Sequence, residues 1–309
     1  MALIAPARAA RPMALEHAEP HHRDSTGRRN CPFCPGAEHD TPGELYALRE
    51  PRSAPNGSRW SLRAVPNKFP AVDADAPAFG SHEVIIECAE HESNPTKLSD
   101  DQFAKVFVAY RERMLAHAQD QRLKYTAVFK NVGAEAGASL AHSHSQLLAL
   151  PEVPDAVAEE LRIALEYWNR EQRCLMCDVI AEELKHRERL IAETEHFAAF
   201  AAYAPRFTYE FWVAPKDHTS QYESTSDAHL AELAILMKRL LKSLDAAVVE
   251  PAYNMILHSG PLRSGNLPEF HWHWEVLPRT ARVAGFEWGS GAFIVSVPPE
   301  QAAKELRIP

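Results

Sequence analysis

Two stretches of the chain carry apolar residues at helical spacing behind the same opening. In "SDDQFAKVFVAYRERMLAHA", Phe103, Val106, Phe107, Tyr110 and Met114 fall on one face. Ser99 precedes them, a residue type whose side-chain oxygen caps the first backbone amides of a helix. "SDAHLAELAILMKRLLKSL" repeats the arrangement with Leu230, Leu233, Met237, Leu240 and Leu244. Around these helices the runs "EVIIE", "YTAVFKN", "YEFWVAP" and "YNMIL" are short and rich in β-branched and aromatic residues, which predicts strands. A further helix, "DAVAEELRIALEYWNREQ", is predicted to bridge the halves. The N-terminal segment and the tail "VPPEQAAKELRIP" are expected at the periphery.

The pattern occurs twice in the same order: CxxC, an apolar strand, a histidine before a polar loop, an amphipathic helix, a Tyr-led strand, then HxH. The first pass gives Cys31 and Cys34, His91, Tyr125, and His142 with His144. The second gives Cys174 and Cys177, His218, Tyr253, and His271 with His273. The later landmarks keep nearly constant separation, so an internal repeat is predicted. Short connections and one main helix per half predict an α+β fold of two similar antiparallel sheet units, residues 1–152 and 153–309.

Composition narrows the function. Apolar residues make up 46% and charged residues 24%, ordinary for a water-soluble chain. A net charge of -9 argues against a general nucleic-acid binder. No stretch is apolar enough to span a membrane. The first thirty residues lack the apolar core of a secretory signal and contain Glu16, Glu19 and Asp24, so a cytoplasmic protein is expected.

In a reducing compartment, paired cysteines are metal ligands or redox dithiols more often than disulfides. A CxxC with two distant histidines supplies the donors that suit tetrahedral Zn²⁺. The expected sets are Cys31, Cys34, His91 and His142 in the first half and Cys174, Cys177, His218 and His271 in the second. Four ligands leave no open position, so both zincs are expected to be structural. A redox dithiol is the competing reading, although neither CxxC sits in a βαβ pattern; His39, His82, His196 and His229 compete for the histidine positions. Cys88 reads as a buried small hydrophobe.

In a strand, His142, His144 and Gln146 of "AHSHSQLLAL" share one face while Ser143 and Ser145 take the other. With His142 committed to metal, His144 remains for chemistry, flanked by an amide donor and by "GAEAGAS", whose Gly133 and Gly137 let backbone amides approach an anion. An imidazole among phosphate-holding donors suits nucleophilic attack on phosphorus. The second half offers His273 beside Glu275, with Trp272 and Trp274 suggesting packing. A carboxylate there repels phosphate, so one nucleophile, His144, is expected.

These residues, together with "IAPARAARP", "CPFC", "VPNKFPAV" and "KNVGAEAGASLAHSHSQ", resemble the galactose-1-phosphate uridylyltransferase family, the two-repeat branch of the histidine-triad superfamily. The resemblance implies that His142 is a zinc ligand, His144 the nucleophile and Gln146 a phosphate contact. Asn67 and Phe69 fall on the nucleotide side, Asn131, Gly133 and Ser139 around the phosphates and sugar, and Arg8 and Arg11 near the substrate. It further implies histidine-triad-like repeats, a homodimer, and transfer of a nucleotidyl group between a sugar nucleotide and a phosphorylated acceptor through a nucleotidyl-histidine. Serines stand where the family has proline and glycine in HPHGQ, the tail lacks the usual lysine and glutamine, and Phe286 replaces a tyrosine. In these respects the chain is similar to the branch resembling ADP-glucose phosphorylase. A dinucleoside polyphosphate phosphorylase, a nucleotide hydrolase, or a zinc-stapled nucleotide-binding protein without turnover are the alternatives.

Overall fold

The computed structural model describes residues 31–74 and 78–308. Arg8, Arg11 and the rest of the N-terminal segment lie outside the described residues. Among the described residues ten strands follow one another as β1 (Tyr46–Arg49), β2 (Trp60–Pro66), β3 (Ser81–Ile86), β4 (Tyr125–Val132), β5 (His144–Leu150), β6 (Leu190–Glu193), β7 (Phe197–Ala201), β8 (Phe211–Pro215), β9 (Tyr253–His258) and β10 (His273–Pro278). Six helices accompany them: α1 (Asp100–His117), α2 (Asp155–Glu171), α3 (Leu175–His186), α4 (Asp227–Ala247), α5 (Gly285–Ser290) and α6 (Pro299–Leu306).

The α+β expectation holds, but the two expected sheets are one. The strand order is β1-β2-β3-β5-β4-β9-β10-β8-β7-β6, antiparallel throughout. Read inward from each edge, both halves follow the same five-strand plan. They fuse where β4 and β9 pair, with Val128 opposite Leu257 and Asn131 opposite Asn254. Fusion satisfies the backbone groups that two separate units would leave bare along those edges.

Alternation along the strands assigns the two faces. Ser99 caps α1 by accepting from the Gln102 amide, and Ser226 caps α4 by accepting from that of His229. Both helices lie on one face of the sheet and bury the apolar stripes read from the sequence. Each half also carries a smaller cluster: Phe33, Trp60, Val65, Val84 and Ile86 in the first, Ile180, Ala198, Phe200 and Ala214 in the second.

One further expectation needs correction. The tail is not peripheral: α6 buries Ala302, Ala303 and Leu306, and the Ser243 hydroxyl on α4 donates to the Leu306 carbonyl at 2.8 Å. Cys174 sits at the N-cap of α3 and Cys177 in its first turn. Among the described residues no helix is long and apolar enough to cross a membrane.

Candidate active site and metal centres

The first CxxC turn folds against the start of β5. Cys31, Cys34, His91 and His142 bring their ligand atoms within 4.8 Å of one another. His142 Nδ1 lies 3.6 Å from Cys31 Sγ and 3.7 Å from Cys34 Sγ, and His91 Nδ1 lies 3.3 Å from Cys34 Sγ. A tetrahedral zinc with Zn–S of about 2.3 Å and Zn–N of about 2.0–2.1 Å requires sulfur–nitrogen edges of about 3.6 Å. The residues therefore fit that ion.

His142 Nε2 donates to the Cys88 carbonyl at 2.9 Å, which leaves Nδ1 as the lone-pair nitrogen facing the thiols. Burial pushes the His142 imidazole down to about 4, so it stays neutral as a ligand must. It also pushes the Cys31 thiol up to about 12, and a divalent cation supplies the countercharge that ionisation needs. Cys88 is buried as expected, and its contribution is this carbonyl.

The second cluster repeats the geometry. Cys177 Sγ lies 3.4 Å from Nδ1 of both His218 and His271, and Cys174 completes the group. The two histidine pairs cross alike, at 87° in the first half and 86° in the second. His218 Nε2 donates to the Leu267 carbonyl at 3.0 Å. A hydrogen bond from Cys177 holds the Cys174 thiol down to about 4, and the same bond raises Cys177. The competing imidazoles lie elsewhere: His39 is exposed beside Asp40, and His196 stacks on His229 with centroids 4.0 Å apart.

His142 precedes β5, and His144 opens it. Nδ1 of His144 lies 2.7 Å from the His142 carbonyl, which can only accept; Nδ1 therefore carries the proton and Nε2 is the unprotonated nitrogen of the neutral ring. His144 lines two cavities. One, of about 270 Å³, is largely apolar and includes Phe33, Val65, Asn67, Phe69, Ser139 and Gln146. The other, of about 400 Å³, has a mixed lining that includes Lys97, Asn131, Gly133 and His142. Gly137 lines neither, and its amide donates to Ala134 within the turn. Gly133 and Gly137 both adopt positive φ, +81° and +84°, and a Cβ on Gly133 would lie 2.8 Å from that of Ala252.

Sequence reasoning missed the support beneath this strand. Ser143 and Ser145 point to the opposite face and donate to the Glu87 carboxylate, which also accepts from Lys130 Nζ at 2.6 Å and Tyr110 at 3.2 Å. Lys130 further donates to Ser143 Oγ at 3.0 Å and to the His144 carbonyl at 3.1 Å. Burial alone would raise the Glu87 carboxyl, but Lys130 and the hydroxyls hold it below the usual range. The serines of "HSHSQ" thus anchor the strand. A lysine in the otherwise apolar "AVFKNV" was the available signal.

In the second half, His273 is buried between the rings of Trp212 (5.0 Å) and His258 (4.7 Å). Burial opposes protonation of His258, yet hydrogen bonds to Glu160 and Glu275 push it up to about 10. Glu160, His258 and His273 also gather their polar atoms within 4.8 Å, a group no sequence motif announced. Arg206 donates to Glu275, and these residues line a cavity of about 410 Å³.

An antiparallel sheet built twice on one plan with paired Cys₂His₂ clusters, and a buried imidazole lining both an apolar and a mixed cavity, is the architecture of a class of nucleotidyltransferases. Comparison with known proteins agrees. A family described as a domain of unknown function, DUF4921, matches residues 63–307. ADP-glucose phosphorylase of Arabidopsis thaliana is 33% identical over 99% of this chain and 89% of its own. Galactose-1-phosphate uridylyltransferase of Thermotoga maritima is 28% identical over 80% of this chain and 84% of its own. The crystal structure of an A. thaliana ADP-glucose phosphorylase with bound ADP-glucose superposes with a TM-score of 0.81 at 34% identity, covering 98% of this chain and 94% of that one. The chain belongs to the galactose-1-phosphate uridylyltransferase-like family.

Proposed function

We propose that the protein moves a nucleotidyl group from a nucleoside diphosphate sugar to a phosphorylated acceptor through a covalent intermediate on His144. The observation that carries this reading is the 2.7 Å contact of His144 Nδ1 with the His142 carbonyl, in a residue that lines two cavities. Nε2 attacks the α-phosphorus, a P–N bond forms, and the P–O bond to the departing sugar 1-phosphate breaks. The ring becomes cationic, and the Nδ1–H bond to His142 stabilises that charge. An acceptor oxygen then forms the new P–O bond as the P–N bond breaks, regenerating neutral His144.

The apolar cavity, with Phe69 and Asn67, takes the nucleoside. Gln146 and Ser139 donate to the phosphoryl oxygens, and Asn131 and Gly133 face the departing group. Arg8 and Arg11 are proposed to approach the same phosphates. Cys31, Cys34, His91 and His142, and likewise Cys174, Cys177, His218 and His271, would hold Zn²⁺, which would tie the loops in place as a structural ion. The halves are read as histidine-triad-like repeats, the second serving as scaffold. Its counterpart cavity presents Glu275 where the first half has Gln146, with Glu160 and Glu275 engaged by His258 and Arg206 rather than offering a neutral amide to a phosphate.

Similarity to a phosphorylase whose crystal structure holds ADP-glucose favours an adenylyl donor, and the tail without the usual lysine and glutamine favours phosphate as acceptor. A homodimer accords with the exposed Phe286, Trp288 and Ile294. The test is incubation with sugar nucleotides labelled at the α-phosphorus, UDP-glucose, ADP-glucose and GDP-sugars in parallel. Acid-labile label on the wild type and none on His144→Asn is expected. Turnover without any labelled protein in a rapid quench would overturn the covalent route.

A further inference from the structure

Gln146 can aid phosphoryl transfer only if its amide presents NH₂ rather than C=O to the phosphate, and nothing in its own side chain chooses between the two. The choice is made from β3. His82, buried on the same face of the sheet, lies two strand positions from Val84, the residue opposite Gln146. Its Nδ1 accepts from the Ala71 amide at 3.0 Å, so in the neutral ring Nε2 carries the proton. That nitrogen lies 2.9 Å from Gln146 Oε1, the acceptor it can serve, and 3.1 Å from Asn67 Nδ2, which can only donate and so does not compete for that proton. With Oε1 accepting from His82, the NH₂ group of Gln146 is the end left to face the cavity it shares with His144.

The same imidazole ties in the nucleoside side of the site. Its Nδ1 holds the Ala71 amide at the loop's far end, while the backbone carbonyl of the same residue accepts from the Asn67 amide at 2.7 Å. The loop from Asn67 to Ala71 and the strand bearing Gln146 are therefore referenced to one ring. We infer that His82 is a positioning residue, fixing the Gln146 amide as a donor to the transferring phosphoryl group and setting its distance from the nucleoside loop. This deepens the proposed function and rests on it.

Two substitutions separate this role from general support. In His82→Asn the shorter side chain keeps an acceptor for the Ala71 amide and loses reach to Gln146. In His82→Gln a donor returns near the former Nε2 position. The measurement is the single-turnover rate of labelling of His144 by α-labelled ADP-glucose as donor concentration is varied, with thermal melting as the fold control. For His82→Asn, the maximal rate should fall about tenfold or more, while the donor concentration giving half-maximal rate changes little. His82→Gln should recover most of the rate. Combined with Gln146→Ala, His82→Asn should cause no further loss, since both act through one amide.

An unchanged rate in His82→Asn, or a loss that multiplies fully with that of Gln146→Ala, overturns the inference. So does a His82→Gln variant as slow as His82→Asn. If the wild type takes no label from any donor, the proposed function fails instead, and the two failures are distinct.

Discussion

Replacing Lys130 with methionine tests the ion pair buried beneath the HxHxQ strand. Its ammonium is 2.6 Å from Glu87 Oε2, and both side chains are almost wholly excluded from solvent, at 2% and 0% exposure. Removing one partner of a buried pair costs about 3–5 kcal/mol because the other charge is left uncompensated. Here Glu87 keeps the Ser143, Ser145 and Tyr110 hydroxyls, which places the expected loss near the lower end, about 3 kcal/mol. At roughly 2–4 °C per kcal/mol for chains of comparable size, the melting temperature should drop by about 6–12 °C.

The pH dependence has a defined sign. In the wild type the Glu87 pKa is depressed, so its contribution is present above the unfolded value of about 4.3 and is lost as pH falls through the folded value. Without Lys130, burial raises the folded pKa above the unfolded one. The variant's deficit is then full at neutral pH and shrinks on acidification, as Glu87 takes up a proton on folding. Urea unfolding followed by fluorescence of the buried Trp272 and Trp274, at neutral pH and near pH 5, measures both effects. A neutral-pH loss under about 1 kcal/mol, or a deficit that does not shrink in acid, would refute the ion-pair account.

Metal analysis should return two zinc ions per chain, with Cys34→Ser losing one and Cys177→Ser the other; far less than one per chain in the wild type removes the metal reading. His273→Asn should still take label on His144, because His273 is packed between Trp212 and His258; loss of label in a folded variant would show that the second half takes part in transfer. Glu83, held below the usual carboxylate range against its burial by Arg113 and His117, contributes stability above about pH 4.3 that is lost as pH falls. Denaturation midpoints of Glu83→Gln should accordingly fall less steeply on acidification than those of the wild type, and parallel curves would count against this.

The parts of the fold legible in advance were those with strong periodicity and local punctuation. Ser99 and Ser226 both cap, and the stripes on α1 and α4 are buried residue for residue. The edge strands β1 and β6, four residues each, offered too few positions for a pattern, and β7, "FAAFA", is buried at every position and so shows no alternation. Fusion of the halves was unreadable because strand partners at that separation depend on backbone edges rather than on side-chain order. At the site, the Cys₂His₂ spacing and the HxHxQ strand stood out because their residue types are costly to bury without purpose. Glu87, Lys130 and His82 did not, since a lone charge or imidazole in a strand carries no motif. Their roles emerge only from β3, β4 and β5 lying side by side.

The β4–β9 seam bears on any attempt to cut the molecule in two. A fragment ending after β5 would present β4 as a long, bare hydrogen-bonding ribbon, carrying Phe129 and Val132, one strand away from His144. Such a half would be prone to stick to its own kind through that ribbon, whatever its intrinsic chemistry. The second half can thus be seen as a permanent, covalently tethered cover for that border, supplying β9 as the partner that β4 would otherwise find in another molecule.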